Sequence, residues 1–266
     1  MSLQEKAMLV NLTIHQWTGR KFDRAATASV NNLANAASDA GRYNKQLVRK
    51  ETLASIALYA SRIRNQHYHM TLPWSDGGQR LLPAAFFMNY RDKISGLKQQ
   101  FEEAVEEFLN WYGSNRQHEA VRLGHLYDPN DYPSILDLRS CYGVNTEFFP
   151  VPAAEDFRTS IGADEQDEVR QQIVASIADR QKKIFEDCRT RILKLLDTSV
   201  SASSSNAFVE KLDTLSTHLD GLNVMNDPKV ASAALHLRAM ATHIRCGVYA
   251  YAQNTAEAIR CILTSE

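Results

Sequence analysis

AAFFMNYRDKISGLKQQFEEAVEEFLNWY, residues 84–112, places Phe87, Tyr90, Ile94, Leu97, Phe101, Ala104, Phe108 and Trp111 at intervals of three and four. That spacing follows the turn of an α-helix, so these side chains form one continuous apolar row. At 29 residues the helix makes about eight turns, longer than most helices of single domains. Glu102, Glu103, Glu106 and Glu107 fall off the row and read as its solvated face. A carboxylate metal site in a bundle would need an inward Glu-x-x-His, and the chain contains none.

The last hundred residues carry the same signal. A helix is predicted from Asp164 to about Thr198, with Ile173, Ile184 and Leu195 eleven residues apart and Ile177 and Cys188 repeating the step. An eleven-residue period implies straight or slightly right-handed packing. A Ser-rich break at 199–206 precedes a helix over 207–222 with Phe208, Leu212, Leu215, Leu219 and Leu222 inward. Asp227-Pro228 then reads as an N-cap with proline in the first turn. The pattern beyond it predicts one helix to about 263, with a heptad through Val230, Ala234, Leu237, Ala241, Ile244, Val248, Tyr251, Thr255, Ala258 and Ile262.

Towards the N-terminus the period changes. Val10, Leu12 and Ile14 alternate with polar residues over 8–18, as a half-buried strand does. Its expected partner is Val144–Val151, whose end Pro150 and Pro152 assign to a sheet edge. Between them, helices are predicted over 23–37, with Ala26, Val30, Leu33 and Ala37 inward, and over 50–66, with Leu53, Ile56, Ala60 and Ile63 inward. Residues 71–83, with two prolines and a Gly-Gly pair, are expected to form no regular element.

The net charge of −1 is unevenly distributed: residues 1–64 hold ten Lys/Arg against four Asp/Glu. Aromatic rings (Trp17, Phe22, Tyr43, Tyr59) interleave with Arg20, Lys21, Arg24, Arg42, Lys45, Arg49 and Lys50. Single-stranded nucleic acid is bound by this mixture, because cations follow phosphates and rings stack on bases. The four cysteines lack metal spacing and are expected to be buried and reduced, in a cytoplasmic protein. Phosphate-binding glycine loops and nucleophile elbows are absent from the sequence. His69-Met70-Thr71 is one half of a two-histidine phosphoesterase pattern whose second half is missing. His236 and His243, each followed two residues later by an arginine, read as positions flanking a helix seam.

Thr71-Leu72-Pro73-Trp74, Asp76, Gly78 and Arg80-Leu81-Leu82-Pro83 stand together in a compact block. Tyr132-Pro133, Phe149-Pro150-Val151-Pro152 and Asp156-Phe157-Arg158 follow it. Over about residues 40–160 these elements resemble a family of uncharacterised helical proteins of bacteriophages and mobile elements that carry a domain of unknown function. The resemblance implies no enzyme activity and no cofactor. It implies gene neighbours such as a MoxR-like AAA+ ATPase and a von Willebrand-type protein.

The prediction is a mainly α protein, a long-helix bundle with a small two-stranded β element and a C-terminal helical hairpin. A mixed, mainly helical body is expected over 1–160 and a three-helix, coiled-coil-like part over 161–266. The expected function is non-enzymatic binding of a macromolecular partner, an AAA+ ATPase or a host defence factor, by a homo-oligomer of phage or mobile-element origin. The alternative is binding of single-stranded nucleic acid or a nucleotide by the basic N-terminal quarter. Binding candidates are Arg42, Tyr43, Lys45, Lys50, Trp74, Asp76, Arg80 and Arg158. No catalytic residue, metal, cofactor or membrane contact is expected.

Overall fold

The computed structural model describes residues 2–75, 77–153, 163–202 and 206–264. In chain order the elements are α1 (Leu3–Lys6), β1 (Ala7–His15), β2 (Arg20–Phe22), α2 (Arg24–Leu33), β3 (Asn44–Gln46) and α3 (Ala54–Met70). Then come β4 (Leu72–Pro73), β5 (Arg80–Pro83), α4 (Phe87–Asn115), α5 (Glu119–Leu123), α6 (Ile135–Ser140) and β6 (Gly143–Phe149). The C-terminal helices are α7 (Ala163–Ala202), α8 (Asn206–Leu222), α9 (Pro228–Arg245) and α10 (Tyr249–Thr264). The protein is mainly α, and none of its described helices is long and apolar enough to cross a membrane.

Contacts divide the chain into two units. One comprises Met1–Asn11, His67–Arg91 and Thr146–Glu266, and the other Leu12–Gln66 and Asp92–Asn145. The division does not fall at a single point in the sequence.

β1 and β6 are neighbours, as expected of the two strand segments, but they are not alone. The sheet has the order β4-β5-β1-β6, with β5 antiparallel to β1 in the register Ala7↔Pro83 to Val10↔Arg80. The expectation that 71–83 holds no regular element is therefore corrected. Its prolines sit where a ladder tolerates them, Pro73 in the edge strand β4 and Pro83 at the last position of β5, and the Gly-Gly pair lies in the hairpin turn. Pro150 follows the end of the other edge strand.

In the first unit the core gathers the strand residues Leu9, Leu72 and Leu81, then Trp74, and then the C-terminal helices. The buried row of α7 is Ile184, Cys188, Ile192 and Leu196, stepping by four, while Ile173 and Ile177 are half-buried. Asp227 caps α9 as its sequence predicted, its Oδ1 accepting from the N–H groups of Lys229 and Val230 at 2.8 and 3.1 Å. Ala233, Ala234 and Ala241 are fully buried on α9, which packs against both α8 and α10.

The single helix predicted over 228–263 is two helices. Gly247 adopts φ +75, its N–H reaches the Ile244 carbonyl at 3.0 Å, and the Val248 N–H reaches that of His243 at 2.9 Å. This is a Schellman ending, which a glycine favours because the left-handed residue bears no Cβ. The heptad stops with it: Ile244 is buried, Val248 and Tyr251 are exposed, and α10 buries Ala252, Ile259 and Leu263 instead.

Arg191 joins α7 to the end of α3. Its guanidinium donates to the carbonyls of Tyr68, His69 and Thr71 at 2.9, 2.7 and 2.7 Å and pairs with Asp187 at 2.7 Å. For Tyr68 and His69, in the last turn of α3, the cation satisfies acceptors that have no partner within their own helix.

The second unit has an aromatic core. Trp17 lies 6.1 Å from both Phe108 and Tyr112, Tyr142 packs on Phe101 and Phe108, and the Tyr132 hydroxyl donates to the Leu47 carbonyl at 2.8 Å. α4 buries Ile94, Phe101, Ala104 and Phe108 from the predicted row, while Tyr112 rather than Trp111 closes it and the four glutamates remain exposed.

α2 is inverted relative to its prediction. Its buried face is Thr27 and Asn31, whereas Val30 and Leu33 are 52% and 88% exposed. The polar face holds the chain that returns after the helix. Thr27 Oγ1 accepts from the Tyr43 N–H at 2.9 Å, and Asn31 Nδ2 donates to the Ser38 carbonyl at 3.1 Å. The helix also ends earlier, because Asn35 takes φ +49 with the N–H of Asn35 on the Asn32 carbonyl and that of Ala36 on the Asn31 carbonyl. All four cysteines are free. Only Cys188 is buried, which corrects the expectation for Cys141, Cys246 and Cys261.

Candidate anion-binding pocket

The second unit contains a concave pocket of ≈ 540 Å³. Its floor is Ile14, Leu53, Ile56 and Ala57, its wall includes Trp17, and its polar groups are Gln16, Thr18 and Gln46 with the cations Arg20, Lys50 and Arg64. Gly19 makes this geometry possible. It links the end of β1 to β2 at φ +67, and a Cβ there would come within 2.9 Å of Leu53 and 3.0 Å of Val48. The turn thus presents Trp17, Thr18 and Arg20 against the start of α3. Lys50 enters from the 3-10 turn Lys50–Leu53, and Arg64 lies two turns beyond Ala57 on α3.

No carboxylate is among the lining residues, and Arg20, Lys50 and Arg64 form no ion pair among the described residues. Trp17 is anchored on one side by Phe108 and Tyr112 and remains half-buried. Three uncompensated cations around an apolar floor make a local field that favours an anion.

The other basic residues of this quarter are largely engaged. Lys45 is 6% exposed; its Nζ lies 3.0 Å from Asp23 Oδ2, pairs with Asp131 and donates to the Leu126 carbonyl at 2.8 Å. Desolvation pulls the Lys45 pKa down, and Asp131 and Asp23 outweigh it and leave it raised. Lys45 is therefore removed from the set of exposed ligand-binding candidates: it is an internal cation that ties β3 to the turn at 128–131. Lys21 pairs with the same Asp131 at 2.7 Å. Arg42 is exposed with its guanidinium 4.7 Å over the Phe22 ring, and Tyr43 is 37% exposed.

The remaining candidates belong to the first unit or lie outside the described residues. Trp74 is 3% exposed, part of the core, with the Arg180 guanidinium 4.8 Å over its ring. Arg80 turns inward, donating to Thr71 Oγ1 at 2.7 Å and to the Thr71 carbonyl at 3.0 Å, and covers the Tyr68 ring at 4.9 Å. Asp76 and Arg158 lie outside the described residues. The structure thus brings Lys50 into the pocket and keeps Lys45, Trp74 and Arg80 in structural positions.

Gln16, Gln46 and Arg64 were not among the sequence candidates. Arg64 falls on the same face of α3 as Ala57, two turns earlier, but nothing in the sequence separates it from Arg62. The histidine motifs resolve structurally as well. His67 Nδ1 lies 2.8 Å from the Tyr90 hydroxyl, and Thr71 Oγ1 donates to the His67 carbonyl at 2.6 Å. Arg238 and Arg245, the arginines beyond His236 and His243, pair with Asp220 and Asp213 on α8. Comparison with protein-family models, curated proteins and solved structures finds no match for this chain.

Proposed function

We propose that the protein acts by binding, and that the pocket formed by Trp17, Arg20, Lys50 and Arg64 takes a phosphate-bearing ligand, single-stranded nucleic acid or a nucleotide. The supporting observation is the set of three cations without counter-ions around a half-buried indole, with no lining carboxylate. Anisotropy of a labelled single-stranded oligonucleotide, titrated at two salt concentrations, tests it. Three phosphate contacts give a slope of log K on log salt near −2, so a fourfold rise in salt weakens binding by about 20-fold. Charge reversal of Arg20, Lys50 and Arg64 to Glu abolishes binding, while Arg42→Glu changes it little. No binding at low salt, or binding that survives the triple reversal, would overturn the proposal.

A second reading is supported by α2. Its outward Val30 and Leu33, at 52% and 88% exposure, offer an apolar face suited to a protein partner. This reading keeps the expected phage or mobile-element protein that engages an AAA+ ATPase or a host defence factor. Affinity capture from host cells with Leu33→Asp as the control tests it: partners lost in the variant support it, and an identical set of captured proteins sinks it. Light scattering distinguishes a second copy of this chain from a foreign partner.

A further inference from the structure

We propose that the pocket on the second unit accepts one nucleotide unit, its phosphates met by Arg20, Lys50 and Arg64 and its base by Trp17, Gln16, Gln46 and the apolar floor. The inference rests on the anion-binding reading above and narrows it from phosphate-bearing ligands in general to a mononucleotide or the end of a strand.

Three observations carry it. The first is shape. The space is concave and ≈ 540 Å³, within the range of sites that enclose small ligands, whereas nonspecific strand binding uses a groove that follows the backbone. The second is the distribution of free charge. A strand-tracking surface needs a continued row of cations, and Lys21 and Lys45 are taken by Asp131 and Asp23 while Arg42 and Arg62 lie over the Phe22 and Tyr59 rings. Arg20, Lys50 and Arg64 line the pocket without a carboxylate partner, while Arg24, Arg42, Arg49 and Arg62 are not in its lining and form no continuous row with it in the sequence.

The third observation is chemical composition. Cations alone would suit inorganic phosphate, but half of this lining is of another kind. Ile14, Leu53, Ile56, Ala57 and the indole of Trp17 give a flat heteroaromatic ring an apolar environment. The side chains of Gln16 and Gln46 form no hydrogen bond among the described residues, and each amide offers both a donor and an acceptor. The exchangeable edge of a nucleobase presents the complementary pattern. A phosphate, a sugar phosphate or a lipid headgroup without a ring would leave these groups unused.

Competition against the labelled oligonucleotide distinguishes the alternatives. The probes are inorganic phosphate, ribose 5-phosphate, mononucleotides carrying each of the four bases, and oligonucleotides of one to eight nucleotides. Affinity is expected to level off at one or two nucleotides, and the preferred mononucleotide to exceed ribose 5-phosphate by at least about fivefold, the lower bound for stacking one base. Ala57→Trp, at an exposed helix position that opens onto the pocket, should abolish mononucleotide competition. Gln16→Ala with Gln46→Ala should change the ranking of the four bases without changing the salt slope. Affinity that climbs with every added nucleotide, with mononucleotides no better than phosphate and Ala57→Trp silent, would overturn the inference and leave the anion-binding proposal standing. Failure of every probe to bind would overturn both.

Discussion

Acidification should weaken the first unit through His67, because the folded protein resists protonating it. The imidazole is 3% exposed, its Nδ1 is 2.8 Å from the Tyr90 hydroxyl, and burial, with Arg80 nearby, pushes its pKa down from 6.5 to about 4. The unfolded chain therefore takes up this proton first as the pH falls. Stability from the neutral ring is complete above pH 6.5 and is lost as the pH drops towards 4. A difference of 2.5 units is worth about 3 kcal/mol in full, of which about 2 kcal/mol is lost by pH 5. Burial likewise raises the Tyr90 pKa, so the hydroxyl remains a neutral partner throughout. Urea unfolding of wild type and His67→Gln at pH 7 and pH 5 separates this contribution from the carboxylates common to both. Wild type is expected to lose about 2 kcal/mol more than the variant over that interval. Parallel losses, or an NMR titration of His67 with a midpoint near 6.5, would refute the assignment of a buried neutral imidazole.

Two further substitutions test the packing. Lys45→Met leaves Asp23 and Asp131 facing each other with Lys21 alone, and should cost about 3 kcal/mol at neutral pH. Both carboxyls have lowered pKa values: Asp23 chiefly through the Ala26 N–H and then Lys45, Asp131 because Lys21 and Lys45 outweigh its desolvation. The gap from wild type should therefore narrow as the pH falls through the acid range, and a gap that stays constant would contradict the ion-pair account. At Gly221 a Cβ would overlap the Phe86 ring. Gly221→Ala should thus destabilise by about 1–3 kcal/mol, despite the roughly 1 kcal/mol an alanine gains inside a helix, and Phe86→Leu in the same chain should recover part of the loss. An increase in the urea midpoint of Gly221→Ala would show that the ring does not occupy that space.

The helices were legible because each long apolar row has one physical solution. The rows at 84–112 and 207–222 and the Asp227-Pro228 cap each report on neighbours within four residues, a range over which sequence alone determines geometry. The alternation at 8–18 likewise gave β1, and Pro150 gave the end of β6. Tertiary structure decided whatever depended on a partner distant in the chain. A heptad cannot show that Gly247 will turn left-handed and reset the register of α10, since the apolar spacing continues across it. The apolar spacing of α2 cannot show which face is buried, because Thr27 and Asn31 gain partners only once residues 38–43 fold back. Lys45 and Lys50 look alike in the sequence; two aspartates, one of them eighty-six residues away, make the first an internal strut, while the pocket leaves the second uncompensated. Charge and aromatic content single out the basic quarter, but which of its cations line a pocket and which are held by Asp23 and Asp131 followed from the tertiary structure.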